Sequence, residues 1–252
     1  MKKRTAGIVL LILLLLLWEA SARFGWVKSE NWPTLVAVLE VTYRQLLSGE
    51  LSLVLAASMA RMIVGFVIGS LCGILLGLLL GTLRTLDGFL TPLVEAVRPI
   101  PVPAIIPPLI LFLGIDDALK IFVVAFSVFF PMLVSTVGGV RNVDETLIRT
   151  ARTLQTTQGS ILRFVILPAA LPSIMSGFRI SLPLALITTV VAEMIAGSSG
   201  IGYVIVRAQY AMQPQEMYSA VLCLMVIGYL LNLLFLLFER RLIPWYHLSE
   251  NA

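Results

Sequence analysis

Residues Thr150–Gln155 (TARTLQ), followed by Val165–Pro168 (VILP), form a basic and polar loop between two strongly apolar segments. From Asp144 to Leu154 the pattern predicts a short helix, because acidic residues stand in its first turn and apolar residues recur at helical spacing. A second short helix is predicted from about 159 to 165, running into Pro168, where the next apolar span begins. Apolar residues on such short elements cannot form a core alone, so the loop predicts a docking surface for a cytoplasmic partner. A loop packed only on its own bundle is the alternative.

The composition determines which solvent the chain folds in. Its 252 residues are 59% hydrophobic and 13% charged, with a mean hydropathy of +0.99. One soluble core cannot hide this much apolar surface, so the composition predicts an integral membrane protein. The net charge of +4 does not indicate nucleic-acid binding, because the basic residues are dispersed between apolar runs, as topology signals are.

We expect an all-α integral membrane protein with about six transmembrane helices, each found as an apolar run of about 20 residues. The spans lie near residues 6–24, 52–82, 88–113, 119–139, 169–195 and 217–238. Residues 33–50 are amphipathic and too polar to span, which predicts a helix lying on the outer membrane face. We divide the chain into an N-terminal helix with this amphipathic segment (1–50), a core (51–241) containing the cytoplasmic loop (140–168), and a cytoplasmic tail (242–252).

The first apolar segment has two interpretations. Basic residues Lys2–Arg4 precede a run of leucines, and Ala20–Ala22 matches the small-residue cleavage site of a secretory signal peptide. Several further spans follow, so the segment can equally be a retained helix that enters from the cytoplasmic side, and we favour retention. Basic residues are more numerous on the side of the termini, which predicts that both termini are cytoplasmic.

A glycine repeat runs through the second span at a spacing of four residues. Its members are Gly65, Gly69, Gly73, Gly77 and Gly81. On a helix they form one smooth groove, and small residues let helices approach closely in lipid, so we expect this face to pack on another helix. Arg61 lies one turn before the groove and is expected either to snorkel to the outer interface or to pair with a carboxylate.

The third span is interrupted by prolines at 99, 101, 103, 107 and 108, so a straight continuous helix is not expected there. Broken backbone at membrane depth occurs where protein buries it or water lines it. Residues 95–108, including Pro101, are therefore a candidate wall of a translocation pathway. Glu95 and Arg98 stand three apart and are expected to pair there. A kinked helix with a structural ion pair is the alternative.

Two charged residues lie in the fifth span. Arg179 and Glu193 are separated by close to four helical turns, so we expect them on one face, directed towards the bundle interior or water. Glu193 precedes a glycine-rich stretch that includes Gly200 and Gly202. Glycines permit backbone conformations that other residues resist, so the stretch predicts a gate. A simple loop anchored by Tyr203 at the interface explains the same residues.

An intramembrane enzyme is not indicated. The single histidine, His247, lies in the tail, and the pair Asp116–Asp117 lacks companions at metal-ligand spacing, so we read the pair as a solvated outer turn and predict no metal site. Cys72 and Cys223 lie in apolar stretches and are expected to be packing residues. No lysine follows a glycine, so there is no phosphate-binding P-loop, and any ATP chemistry must belong to a partner.

The segment Asp144–Pro168 resembles the coupling loop of permease subunits of binding-protein-dependent ABC importers. That signature is Glu-Ala-Ala, three residues, Gly, nine residues, then Ile-x-Leu-Pro, and its register here gives Arg149–Ala151, Gln155 and Val165–Pro168. Further similar stretches lie between about 51 and 241: Ser58–Arg61, Arg98–Pro101, Phe112–Ile115, Phe130–Pro131, Gly139–Arg141, Val191–Met194 and Gly200–Tyr203. Together they resemble the subgroup that imports aliphatic sulfonates, taurine, nitrate and related small anions.

The resemblance implies a type I ABC importer permease fold and a non-catalytic subunit of the bacterial cytoplasmic (inner) membrane. Such a subunit forms the translocation pathway for a small organic or inorganic anion, which a periplasmic or lipid-anchored binding protein delivers. The implied partners are a second permease subunit, in a homodimer or heterodimer, and two ATPase subunits that hold ATP and Mg, while this chain binds no cofactor. The implied coupling residues are Asp144, Arg149, Thr150, Ala151, Leu154, Gln155, Leu167 and Pro168.

The chain departs from the signature at its glutamate and at its turn glycine. Arg149 replaces the glutamate, and Gln155 replaces a turn glycine, where a left-handed backbone costs an ordinary residue about 1–2 kcal/mol. Arg149 would then pair with an acidic residue of a matched ATPase, or a sister subunit would keep the standard loop. The alternative function is an ATP-independent secondary transporter or channel using Arg98, Arg179 and Glu193, which would need no coupling loop and usually shows internal repeats.

Overall fold

A computed structural model describes residues 2–27 and 29–244, and the ordered elements in these ranges are helices. The α-helices are α1 (Lys2–Arg23), α2 (Leu35–Leu47), α3 (Glu50–Thr82), α4 (Arg84–Val97), α5 (Val102–Leu113), α6 (Asp117–Arg141), α7 (Glu145–Thr153), α8 (Gln158–Ile161), α9 (Leu167–Ala196), α10 (Ile201–Tyr210) and α11 (Pro214–Leu242). A π-helical turn, Leu162–Ile166, joins α8 to α9. The tail beyond residue 244, with His247, lies outside the described residues.

The helices confirm the predicted all-α membrane fold. In the described part of the chain, α3, α6, α11 and the continuous stretch Gln158–Ala196 are long and apolar enough to cross a membrane. Helices α4 and α5 form a fifth span bent by 96°, as the prolines predicted. The 22 residues of α1 occupy the first predicted span.

The fifth span begins earlier than predicted. Instead of a separate short helix that stops before Pro168, the chain continues from α8 through the π-helical turn into α9. Pro168 lies in the first turn of α9, where its missing N–H interrupts no hydrogen bond of that helix.

The glycine groove packs α3 closely against α6, as predicted. A methyl group added at Gly73 would lie 2.7 Å from the carbonyl oxygen of Phe129, and one at Gly77 would lie 2.6 Å from Cβ of Thr136. Helix α9 covers the other side of α6, where Gly139 meets Ser173 and Ala170. Helices α3, α6 and α9 therefore form the centre of the bundle.

Helix α6 runs from one end of the bundle to the other, so we name these ends the Asp117 end and the loop end, which carries α7 and α8. At the Asp117 end, α10 buries Ile201, Val204 and Ile205 against α3 and α11, in a cluster that includes Cys223. Cys223 is buried as a packing residue, whereas Cys72 is exposed on α3. The predicted amphipathic helix is α2, which Thr34 caps by accepting from the N–H of Ala37.

Candidate functional site

The loop end carries a compact element, residues Asp144–Ile166, that we call the knob. Asp144 caps α7 by accepting from the N–H of Thr146 at 2.8 Å, and this backbone hydrogen bond lowers the pKa of the Asp144 carboxyl. After α7 the chain turns through Gln155, whose φ is +56°. The N–H of Gln155 donates to the carbonyl of Arg152 and that of Thr156 to the carbonyl of Ala151, a Schellman C-cap. Gln155 therefore adopts the left-handed conformation that the signature's turn glycine would take.

The knob has a buried base and an apolar, exposed outer side. Ala151 and Ile161 are buried, whereas the side chains of Leu147, Leu154 and Phe164 are 51%, 74% and 70% exposed. Large apolar side chains at this exposure on a polar element indicate an interaction surface.

The other positions for which the resemblance implies a coupling role lie within or beside the knob. Arg149 pairs with Glu145 at 2.9 Å, one turn away, and both side chains are exposed. The hydroxyl of Thr150 donates to the carbonyl of Thr146. Leu167 packs on the core of the bundle, while Pro168 is exposed.

At the Asp117 end, Glu193 is fully buried among donors. The hydroxyl of Ser58 lies 2.8 and 2.9 Å from the two carboxylate oxygens, Arg61 Nη1 donates to Oε1 at 2.8 Å, and the N–H of Gly202 donates to Oε2 at 3.1 Å. The Ser58 oxygen in turn accepts from the N–H of Ile201 at 2.9 Å. Both oxygens of this buried carboxylate therefore have hydrogen-bond partners, as buried polar groups require.

Arg61, on α3, contacts three other segments: α6, α9 and the loop after α9. Its Nε lies 2.7 Å from Asp117 on α6, and its Nη2 donates to the hydroxyl of Ser199 at 2.8 Å, in the loop after α9. Of the two expectations for Arg61, pairing with a carboxylate is correct. Asp117 is 61% exposed, as the predicted solvated turn requires, and it also lies 3.6 Å from Lys120 Nζ. We call Ser58, Arg61, Asp117, Glu193 and Ser199 the Glu193 cluster.

Two glycines let the loop after α9 close over the cluster. Gly200 has φ +107°, and a Cβ atom there would overlap the Glu193 carboxyl group. At Gly202 an added Cβ would lie 2.8 Å from Cβ of Glu193. Both positions therefore require glycine because the backbone approaches the buried carboxylate directly.

The bend between α4 and α5 opens a half-enclosed cavity of about 310 Å³, which we call the elbow cavity. Arg98, Ile100 and Val102 form its wall on the bend, and Pro101 is the N-cap of α5. Side chains from the middle of α6 and α9 complete it: Phe126, Ser127, Phe130, Ser135, Ile180 and Leu184. The predicted pathway wall at 95–108 therefore borders a cavity at the depth of the spans.

The expected pair between Glu95 and Arg98 is not among the ion pairs of the described residues. Helix α4 ends at Val97, and the chain turns at Pro99, so Arg98 lines the elbow cavity while Glu95 stays exposed on α4. Arg98 keeps helical φ and ψ as the C-cap of α4, so the two residues share its last turn, but the Arg98 side chain lines the elbow cavity instead of pairing with Glu95.

The expected charged face of Arg179 and Glu193 is also wrong. Arg179 Nη2 lies 2.6 Å from Glu239 on α11, whereas Glu193 contacts α3. Arg179 therefore pairs with a residue of α11 and Glu193 with a residue of α3. The elbow cavity is lined by Ile180, next to Arg179, and not by Arg179 itself.

The sequence reasoning missed the partners of Glu193 and the serines of the elbow cavity. Ser58 and Arg61 are three apart, which places them on one face of α3, and an intramembrane carboxylate requires such partners. That signal was present in the sequence. Nothing in the local pattern indicated that Asp117, Ser127 or Ser135 would join a site, because those contacts depend on how the helices pack.

A model of the family described as "binding-protein-dependent transport system inner membrane component" matches residues 69–247. Among curated proteins, the chain is 35% identical to the putative aliphatic sulfonates transport permease protein SsuC of Bacillus subtilis strain 168, over 97% of this chain and 89% of that protein. It is 38% identical to the SsuC protein of Escherichia coli K12, over 92% and 90%. It is 32% identical to the taurine transport system permease protein TauC of the same strain, over 76% and 70%.

Solved structures have the same fold. The inward-facing MetNI methionine ABC transporter gives a TM-score of 0.67 at 20% identity, covering 73% of this chain and 92% of that chain. An amino acid ABC transporter crystallised with histidines gives a TM-score of 0.66 at 18% identity, covering 83% and 100%.

Proposed function

The chain belongs to the family of binding-protein-dependent transport system inner membrane components, and on that premise we propose which of its residues bind the partner ATPase, form the gate and line the pathway. It is a multi-pass, non-catalytic permease subunit that forms the translocation pathway of an ABC importer. The family supports this function over an ATP-independent transporter or channel.

The exposed apolar side of the knob is the single observation that carries the detailed proposal. We propose that Leu147 and Leu154 dock on an ATPase subunit, and that the Schellman turn at Gln155 fixes their orientation. Two ATPases would grip the knobs of two permease subunits, in a homodimer or heterodimer, and bind the ATP and Mg. The knob is then cytoplasmic, which agrees with both termini being cytoplasmic under the positive-inside rule.

The Glu193 cluster is proposed as the outer gate. Glu193 and Arg61 together join α3, α6, α9 and the loop before α10, so a separation of these helices would have to break the cluster. Gly200 and Gly202 would allow the loop to close on Glu193 again.

The transported solute is proposed to be a small anion, delivered by a binding protein outside the inner membrane of a bacterium. Two observations support this proposal. The SsuC and TauC permeases are relatives of this chain. Among the described residues that line the elbow cavity, the charged one is Arg98. The cavity would be the part of the pathway that the solute meets inside the membrane.

The docking proposal is tested by replacing Leu154 with arginine and purifying the chain from membranes with its native ATPase. We expect Leu154→Arg to lose the ATPase while it still inserts and remains folded. Leu83→Arg is the control, because Leu83 is also exposed at the loop end but lies outside the knob. Equal recovery of ATPase with both variants would refute docking through the knob.

A further inference from the structure

Helix α4 is an arm between two bends. The single non-helical residue Leu83, with φ −109° and ψ 92°, separates it from α3, and after Val97 the chain bends by 96° into α5. None of the α4 side chains is buried in the described structure, whereas α5 buries Ile106 fully, in a cluster with Leu119 and Val123 of α6. Packing therefore fixes α5 to the bundle more firmly than α4.

An ion pair joins α4 to the loop end of α6. Arg141 Nη2 contacts Oδ1 of Asp87, which also accepts from the hydroxyl of Thr91 at 2.7 Å, one turn further along α4. Among the ion pairs of the described residues, only this pair involves a residue of α4. The side chain of Asp87 is 25% exposed and that of Arg141 is 49% exposed. A pair this accessible contributes little to stability, so its main effect is to hold α4 in one position.

Arg141 lies where α6 joins the knob. It is the last residue of α6 and stands just before Asp144, where the knob begins. The turn between them is closed by the N–H of Asn142, which donates to the carbonyl of Gly138 at 3.0 Å. On its other side the knob continues through the π-helical turn into α9, which packs on α6. A movement of the knob therefore reaches Arg141 through helices that are continuous with it.

We propose that Asp87 and Arg141 form a latch that makes α4 follow the knob when the ATPase subunits move it. Leu83 is the hinge, and a movement of α4 shifts the bend at residues 98–102, which walls the elbow cavity. Asp87 and Arg141 are positioning residues, because neither lines the cavity and both act through its wall. This inference rests on the proposed importer function and adds the route by which the knob controls the pathway.

The first test measures ATP hydrolysis and uptake of ³⁵S-labelled ethanesulfonate in the same proteoliposomes, which contain this chain, its ATPase and its binding protein. Asp87→Asn and Arg141→Gln should each lower uptake per ATP hydrolysed roughly 2- to 30-fold, the range for changes that weaken coupling between distant sites. Recovery of the ATPase and the Tm should stay at the wild-type values, because the pair is exposed. Arg84→Gln is the control: it removes a charge from the first residue of α4, which belongs to none of the described ion pairs, and should leave the ratio unchanged.

Exchanging the two charges tests whether the attraction itself is needed. Asp87→Arg alone places two cations together and should lower uptake per ATP. Asp87→Arg combined with Arg141→Asp restores the attraction and should recover most of the wild-type ratio. Absence of this recovery, or loss of the ATPase from the Arg141→Gln complex, would overturn the latch, because either result would assign these residues to folding or assembly and not to the position of α4.

The movement of the bend can be followed without any solute. Ile100 lines the elbow cavity and is 40% exposed, so Ile100→Cys can be labelled with a maleimide once Cys72 and Cys223 are replaced by serine. In the complex with the ATPase, trapping with ADP and vanadate should change the labelling rate, and Asp87→Asn should abolish this change. An equal change with and without Asp87→Asn, or no change in either protein, would overturn the latch.

The two readouts separate this inference from the proposed function. ATP-dependent uptake with the wild-type ratio in Asp87→Asn would refute the latch alone. Absence of ATP-dependent uptake of any anion by the wild-type complex would refute the proposed function, whereas the labelling of Ile100→Cys would still show whether α4 follows the knob.

Discussion

Replacing Arg61 with methionine should destabilise the bundle more than replacing Glu193 with glutamine. In Arg61→Met the fully buried Glu193 carboxylate keeps only the Ser58 hydroxyl and the Gly202 N–H of its described donors. Removal of one partner of a buried ion pair costs about 3–5 kcal/mol. In Glu193→Gln the shape is kept and Arg61 stays paired with Asp117, so the cost falls to about 1.5–3 kcal/mol, that of one charged hydrogen bond.

The assay is thermal unfolding of the purified chain in detergent, with both single variants and the double variant. One kcal/mol shifts the Tm of a chain of this size by roughly 2–4 °C, so Arg61→Met should lower it by roughly 6–20 °C. The double variant should be less damaging than the sum of the single variants, because it leaves no uncompensated buried charge. Arg44→Met is the control: its pair with Glu40 is exposed on both sides and contributes about 0.5 kcal/mol or less.

Two results would refute this reasoning. If Glu193→Gln lowered the Tm as much as Arg61→Met, Arg61 would not be compensating a buried negative charge. If the effects of the two single variants simply added, the two side chains would not be coupled, and the Glu193 cluster could not act as a unit.

Three other changes test separate parts of the structure. Gly77→Leu should prevent close packing of α3 on α6 and lower the yield of folded protein. Gly88→Leu should not, because the space around Gly88 is open. Size-exclusion chromatography in detergent measures the yield of monodisperse protein for both variants. Gln155→Gly should raise the Tm by relieving a left-handed conformation worth about 1–2 kcal/mol, and an unchanged or lower Tm would contradict the Schellman turn. Arg149→Glu should disturb assembly with the native ATPase but not membrane insertion. Within α7 the change replaces the attraction between Arg149 and Glu145 by a repulsion, and each amounts to only a few tenths of a kcal/mol. An unchanged complex with unchanged transport would contradict a role for Arg149.

The helical architecture could be predicted from the sequence because its signals are local. Apolar runs of bilayer length, the prolines at the α4–α5 bend and the spacing of the glycines on α3 each determine a segment without reference to its neighbours. The sequence left the backbone at Gln155 open, because glutamine replaces the turn glycine, and the structure shows that it is left-handed at the end of α7.

The pairing of charges was not predictable in this way. The spacing of Arg179 and Glu193 fixes their direction around α9 but not which helix each one faces, and the structure gives them different neighbours. Arg98 and Glu95 share the last turn of α4 but do not pair, because the Arg98 side chain lines the elbow cavity, which the spacing alone does not determine. Asp117 was read as a solvent-exposed turn residue, and only the packing of α3 against α6 brings Arg61 to it.

The most direct test of the importer account is uptake of ³⁵S-labelled ethanesulfonate into proteoliposomes that contain this chain, its ATPase and its binding protein. The account predicts uptake that requires ATP hydrolysis and the binding protein, and that is lost in Leu154→Arg even though the permease is present in the membrane. Uptake that proceeds equally without ATP, or with the ATPase omitted, would contradict it.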